Sequence, residues 1–170
     1  GTTTTFTNMT ASTFTSGSDT ITINGTTGNE TITAPNLATT INGGNGVDTI
    51  DGGDGGDTLV GGSGDDVYLF NTNDVDSGES ITENVSGGTD VIAIVTTTDF
   101  ANMSVASFNE IEQIRFAGAN QTGTFTGAQL TGETLSLTET AAGTSNLVIN
   151  VASGTTTTFT NMTASTFTSG

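Results

Sequence analysis

Among its 170 residues the chain has no cysteine, no histidine and no tryptophan, one tyrosine, one proline and a single basic side chain, Arg115. Each lack removes a class of protein. Without cysteine no disulfide framework can hold the fold, and without cysteine or histidine the usual zinc and copper ligands are missing. The same two absences remove the Ser-His-Asp triad, the thiol nucleophile and the H-E-x-x-H helix, and no serine stands in G-x-S-x-G; the expectation is that the chain is not an enzyme. One basic residue against 18 acidic ones gives a formal charge of −17, so nucleic acid and anionic membrane surfaces are poor partners. No apolar run is long enough for membrane insertion, and a hydrophobic fraction of 32% is low for a globular core, though sufficient for a narrow solenoid. The chain starts at Gly1 with no apolar signal region, which reads as a piece of a longer polypeptide.

What the chain does have is glycine, threonine and acid in a fixed order. From Gly43 to Leu69 three nonapeptides follow one another, GGNGVDTID, GGDGGDTLV and GGSGDDVYL, all fitting G-G-x-G-x-D-x-U-x with U apolar. Glycine at the first, second and fourth places frees the backbone for the left-handed conformations of a tight turn and lets carbonyls point inward together. Aspartate at the sixth place, Asp48, Asp57 and Asp66, closes a cup of oxygens. Oxygen-only cups in a flexible loop suit Ca²⁺, which takes about six to eight such ligands. The eighth place, Ile50, Leu59 and Tyr68, supplies one inward strand residue per nonapeptide. The motif resembles the RTX repeats of secreted bacterial proteins, which fold as a calcium-bound parallel β-roll.

The register extends upstream. Steps of nine from Ile50 land on Ile41, Ile32 and Ile23; GTTGNETIT (25–33) keeps two glycines and places Glu30 where Asp is expected, while APNLATTIN (34–42) keeps the inward Ile41 and puts Pro35 and Thr39 in its turn. Turns alternate between two edges, so Glu30, Asp48 and Asp66 stack on one, Thr39 and Asp57 on the other. The resemblance implies that each ion lies between turns eighteen residues apart, bound by alternate backbone carbonyls and one acid from each. Gly43, Gly44, Asn45, Gly46 and Asp48 with Gly61, Gly62, Gly64 and Asp66 make the best pair. Gly25, Gly28 and Glu30 with Gly43 to Asp48 make a second, weakened by Thr26 and Glu30. On the other edge Gly53, Gly55 and Asp57 have only Thr39 before them and Asp74 or Asp76 after. At least two calcium ions and calcium-dependent folding are expected, since eleven acids between Asp48 and Asp90 repel one another without cations.

Residues 1–17 and 154–170 are the same seventeen letters, GTTTTFTNMTASTFTSG, an offset of 153. The chain therefore reads as one unit of a tandem repeat and the start of the next: a shared opening segment (1–17), the roll (18–76), a less regular β-solenoid continuation (77–153) and the next opening (154–170). Within the continuation, Asp74 to Glu83 reads as a polar, acidic loop and GGTDVIAIV (87–95) as a buried β-run. Alternating strands then recur around Ile114, Phe125, Leu137 and Ile149, and the rungs Phe6, Met9, Phe14, Phe159 and Phe167 belong to the shared segment. Thr98 to Ile111 reads equally as short helix or irregular cap. Glu110 and Glu112 share an outward face beside Arg115, read as a solvated ion pair rather than paired catalytic carboxylates.

The fold class expected is all-β, a parallel β-solenoid containing a calcium β-roll. The function expected is a non-catalytic, calcium-binding structural repeat, with neighbouring copies of the same repeat end to end as its partners. By resemblance, such proteins are extracellular bacterial adhesins or surface-layer proteins exported by type I secretion. The alternatives are a carbohydrate- or ice-binding adhesin module, the latter suggested by the column Thr22, Thr31, Thr40, Thr49 and Thr58, or an RTX secretion and folding appendage of a secreted enzyme.

Overall fold

The computed structural model describes residues 1–5, 19–85, 87–158 and 162–164. Phe6, Met9, Phe14, Phe159 and Phe167 lie outside the described residues.

Every paired strand runs parallel to its neighbour. One face is an eight-stranded sheet of β1 (Thr2–Thr5), β3 (Glu30–Thr33), β5 (Thr49–Asp51), β7 (Val67–Phe70), β9 (Val91–Ile94), β11 (Gln113–Phe116), β13 (Ser136–Glu139) and β15 (Thr163–Ala164), stacked in that order. The other face is split between a four-stranded sheet, β2 (Ile21–Asn24), β4 (Thr39–Asn45), β6 (Thr58–Ser63) and β8 (Ser80–Thr82), and a three-stranded one, β10 (Thr98–Asp99), β12 (Thr122–Thr126) and β14 (Asn146–Asn150). Strands adjacent in space are thus alternate in sequence, the signature of a two-faced solenoid: an all-β, parallel β-solenoid, as the period of nine predicts.

Register fixes the core. Ile32, Ile50, Tyr68, Ile92, Ile114 and Leu137 align along the eight-stranded face, and Ile23, Ile41, Leu59 and Ile81 along the four-stranded one. Because strand side chains alternate, one aligned column from each sheet faces inward, and all of these but the half-buried Ile23 are buried in a single cluster. The Thr column divides as expected, Thr22, Thr40 and Thr58 on one face and Thr31 and Thr49 on the other.

After a first step of twenty-eight from Thr2 to Glu30, rungs are eighteen residues long from β3 to β7 and from β2 to β6, then lengthen. Val67 pairs with Val91 and Thr58 with Ser80, steps of twenty-four and twenty-two. The wider coils hold aromatics in place of lone aliphatic anchors. Phe100 stacks on Phe125 at 4.6 Å, and Phe70 and Phe108 meet the pair edge-on. Within Thr98–Ile111 the only helical turn is a 3₁₀ turn, Val105–Phe108; Phe100, Met103, Phe108 and Ile111 are buried while Val105 is exposed, so an irregular cap is what forms there. The buried Gln129 amide donates to the Phe100 and Met103 carbonyls at 2.8 and 2.9 Å, fixing that cap.

Asp74 to Glu83 differs from the polar, acidic loop read in the sequence. It contains β8, and Asp74 and Glu79 are buried. The reason is backbone satisfaction: Asp74 Oδ2 accepts the Asn71 N–H at 2.5 Å and Glu79 Oε2 the Asp57 N–H at 2.9 Å, contacts that draw both carboxylates inward.

Candidate metal centre

The glycine turns stack rung on rung. Gly44, Gly46, Gly53, Gly55, Gly62 and Gly64, the second and fourth places of the three nonapeptides, all have positive φ, the left-handed backbone expected there. The first-place glycines correct that expectation, for Gly43, Gly52 and Gly61 are not among the positive-φ glycines. Glycine is needed there for space. A Cβ on Gly43 would lie 2.5 Å from Asp48 Oδ2 and 2.7 Å from the Gly61 carbonyl oxygen, and one on Gly52 would lie 2.5 Å from Asp57 Oδ2.

The sixth-place acids form a ladder along each edge. On the first, the N–H of Glu30 donates to Asp48 Oδ1 at 2.7 Å, that of Asp48 to Asp66 Oδ1 at 2.7 Å, that of Asp66 to Asp90 Oδ1 at 2.9 Å, and that of Asp90 to Glu112 Oε2 at 2.7 Å. On the second, the N–H of Thr39 donates to Asp57 Oδ1 at 2.7 Å and that of Asp57 to Glu79 Oε2 at 2.9 Å. The edge assignments read from the sequence therefore hold as geometry. In register, the acid that follows Asp57 is Glu79; Asp76 is exposed and accepts the Gly55 N–H at 3.2 Å. Glu112 belongs to the ladder through Asp90, which replaces the solvated pairing with Arg115 expected from alternation.

Each ladder contact uses one carboxylate oxygen. The other, Oδ2 of Asp48, Asp57 and Asp66, is buried with no hydrogen-bond partner. A buried polar atom left unsatisfied costs on the order of 1–3 kcal/mol, and more when charged. Burial, aided by neighbouring carboxylates, accordingly pushes the Asp57 carboxyl up to about 7, Asp66 and Asp90 up to about 6, Glu83 to about 7 and Glu79 to about 9; Asp48, Asp51 and Asp74 also rise, chiefly through burial. Glu30 is the exception. Both its oxygens accept from Thr26, at 2.8 Å from the N–H and 2.7 Å from the hydroxyl, and these bonds hold it below the ordinary carboxylate range.

The three orphan oxygens are what a hard cation would satisfy. Asp48 with the Gly61 carbonyl, Asp57 beside Gly52, and Asp66 beside Gly61 are the positions that fit; the Gly25 to Glu30 turn fits less well, its acid being satisfied already by Thr26. Asp66, Glu83 and Asp90 also form a cluster that could hold a metal ion, each offering an oxygen within 4.8 Å of the others. Glu79, Glu83, Asp90 and Glu112 were missed by a fixed step of nine. A signal for all but Glu83 exists in the sequence: an acid two residues before an inward anchor, as in Glu79/Ile81, Asp90/Ile92 and Glu112/Ile114.

No family model matches the chain, and no curated protein and no solved structure matches it either. Among the described residues no helix is long and apolar enough to cross a membrane.

Proposed function

We propose that the chain is a non-catalytic, calcium-binding structural repeat of an extracellular surface-layer, adhesin or fibre protein. The observation that carries this reading is the set of buried, unpartnered Oδ2 atoms of Asp48, Asp57 and Asp66 beside glycine turns whose first-place Cβ would fill the space in front of them. Bound calcium would supply positive charge to oxygens that otherwise repel one another in a low-dielectric edge. The protein's part is to hold those oxygens. Stacked turns present them, the carboxylate-to-N–H ladders fix their orientation, and the inward anchors lock each rung's position.

The repeat role is supported by the two ends of the eight-stranded sheet. Its first strand, β1, comes from the first copy of the seventeen-residue segment and its last, β15, from the second. Each copy thus contributes one strand to this sheet, though from different places in the segment: β15 corresponds to residues 10–11, and residues 155–158, the counterpart of β1, form no strand. Extracellular placement and type I secretion rest on the resemblance to RTX repeats. An ice-binding role has less support, because Asn24, Asn42 and Val60 stand in the column next to Thr22, Thr40 and Thr58, leaving one rank of hydroxyls.

Circular dichroism in chelator and then in excess Ca²⁺ tests the proposal. In chelator the β-signal should weaken and the melting temperature fall, and both should recover with calcium; an identical spectrum and melting temperature in both would overturn it.

A further inference from the structure

Where the eighteen-residue rungs give way to longer ones, the oxygen cup changes character. Asp66 is fully buried, with Oδ1 receiving the Asp48 N–H and Oδ2 left without a partner. A Cβ on Gly61 would collide at once with Asp66 Oδ2, Glu83 Oε1 and the Tyr68 hydroxyl, so these three oxygens converge on one point. Asp90, one rung on, completes the group of three carboxylates within 4.8 Å of one another.

We propose that Asp66, Glu83 and Asp90 form a calcium site of their own, built from side-chain carboxylates at the last glycine turn and distinct from the cups at Asp48 and Asp57. The orphaned Asp66 Oδ2 is the second pointer to a ligand: Asp66 is fully buried, this oxygen has no hydrogen-bond partner, and it converges with Glu83 Oε1 on the point in front of Gly61 while the nearby Tyr68 hydroxyl donates to Glu83 instead. Three carboxylates with no cationic neighbour leave about three negative charges in a partly buried space, which a divalent cation offsets better than protonation of one acid. Calcium is the ion whose chemistry suits the site: it accepts carboxylates in an irregular shell of about six to eight oxygens, whereas Mg²⁺ demands a near-ideal octahedron and keeps several of its waters. Tyr68 sits in the register column of Ile32 and Ile50, yet its hydroxyl donates to Glu83 Oε1, which turns the Glu83 carboxylate toward the cluster. Asn84 anchors the segment after Glu83, its amide donating to the Gly62 carbonyl at 2.8 Å. Tyr68 is a positioning residue, and as the chain's one tyrosine with no tryptophan present it also reports on the site.

This inference rests on the calcium reading but fails separately from it. Native mass spectrometry would count Ca²⁺ bound to the whole chain and to Glu83→Gln, Asp90→Asn and Asp48→Asn, with tyrosine emission followed in the same titrations and far-ultraviolet dichroism confirming folding. Glu83→Gln should hold one ion fewer, or bind it about tenfold more weakly, and lose the calcium-dependent change in Tyr68 emission. Asp90→Asn, which keeps an oxygen for the Asp66 N–H, should do the same if Glu83→Gln does not fold. Asp48→Asn should weaken other ions and leave the Tyr68 titration in place. Calcium bound upstream with Glu83→Gln and Asp90→Asn unchanged in count and affinity would overturn this site alone. No calcium bound by the wild-type chain would overturn the site together with the proposed function.

Discussion

Asp66 receives the Asp48 N–H on Oδ1 at 2.7 Å and leaves Oδ2 buried and unpartnered, so one carboxylate both locks a rung to its neighbour and holds an oxygen in reserve. The same division of labour occurs at Asp48, whose Oδ1 holds Glu30, and at Asp57, whose Oδ1 holds Thr39. It separates two properties that a simple acidic turn would merge. Rung stacking needs an acceptor at Oδ1, and cation binding needs a charged Oδ2.

Asparagine in place of aspartate therefore changes sign with calcium. Asp57→Asn keeps an acceptor for the Thr39 N–H while removing a buried charge. In chelator the variant should be as stable as the wild type or more so, by about 1–2 kcal/mol. In calcium it should be the less stable of the two. Urea denaturation in both conditions checks it, and the same order of stability in both would show that Oδ2 has no part in binding. Asp57→Ala, which deletes the acceptor as well, should destabilise in either condition.

The pH dependence follows from the raised carboxyls. Asp66, Asp90, Asp57, Glu83 and Glu79 lie between about 6 and about 9, above the ordinary carboxylate range, because burial disfavours their charged forms. A raised carboxyl binds its proton more tightly folded than unfolded, so its stabilising contribution is present below the unfolded value near about 4 and is lost as pH rises through the folded one. The metal-free protein should therefore melt at a higher temperature near about pH 5 than near about pH 8. Calcium must displace those protons, so its affinity should rise over the same interval with proton release. Thermal melts in chelator across that range decide it; a flat profile or one rising with pH would refute the assignment.

The core should respond to truncation by position. Ile50 is fully buried and aligned between Ile32 and Tyr68, so Ile50→Ala removes contacts on both sides and should cost about 2–5 kcal/mol. Val47, three residues earlier in the same rung, is 46% exposed, and Val47→Ala should change stability by less than about 0.5 kcal/mol. Denaturant titration in saturating calcium compares them. Equal effects would mean that the nine-residue column does not form the core.

Much of this was legible in the chain because its period is rigid there. From Ile23 to Tyr68 a fixed step of nine yields both inward columns and both acidic edges, since each rung is two nonapeptides with no insertion. After Leu69 the step varies from twenty-two to twenty-seven, Glu substitutes for Asp in places, and counting fails. What persists is local: an acid, an outward residue, then an inward anchor, as in Asp66/Tyr68, Asp90/Ile92 and Glu112/Ile114. Glu83 follows no such rule. It reaches Asp66 from the residue directly after β8, and only the folded chain shows Tyr68 turning from core residue to hydrogen-bond donor. The ladder stops where Leu135 takes the acid's place before Leu137, next to Glu112 in register, which the sequence states plainly once the register is known.

Assembly is the remaining consequence of the open sheet. Six strands, β3 to β13, lie between β1 in the first copy of the shared segment and β15 in the second, so one 153-residue unit contributes about seven rungs to the eight-stranded face. At about 4.8 Å per rung each unit would advance the solenoid by about 34 Å. Among the described residues β1 and β15 each pair on one side only, and another copy would satisfy the other side without a linker. A chain bearing several units in tandem should therefore appear by electron microscopy in calcium as straight rods with that axial period, and chelation should shorten or collapse them from the acidic segments. Beads on bendable linkers, or a repeat much longer than about 60 Å, would show instead that each unit closes on itself and that β1 and β15 do not belong to one continuous stack.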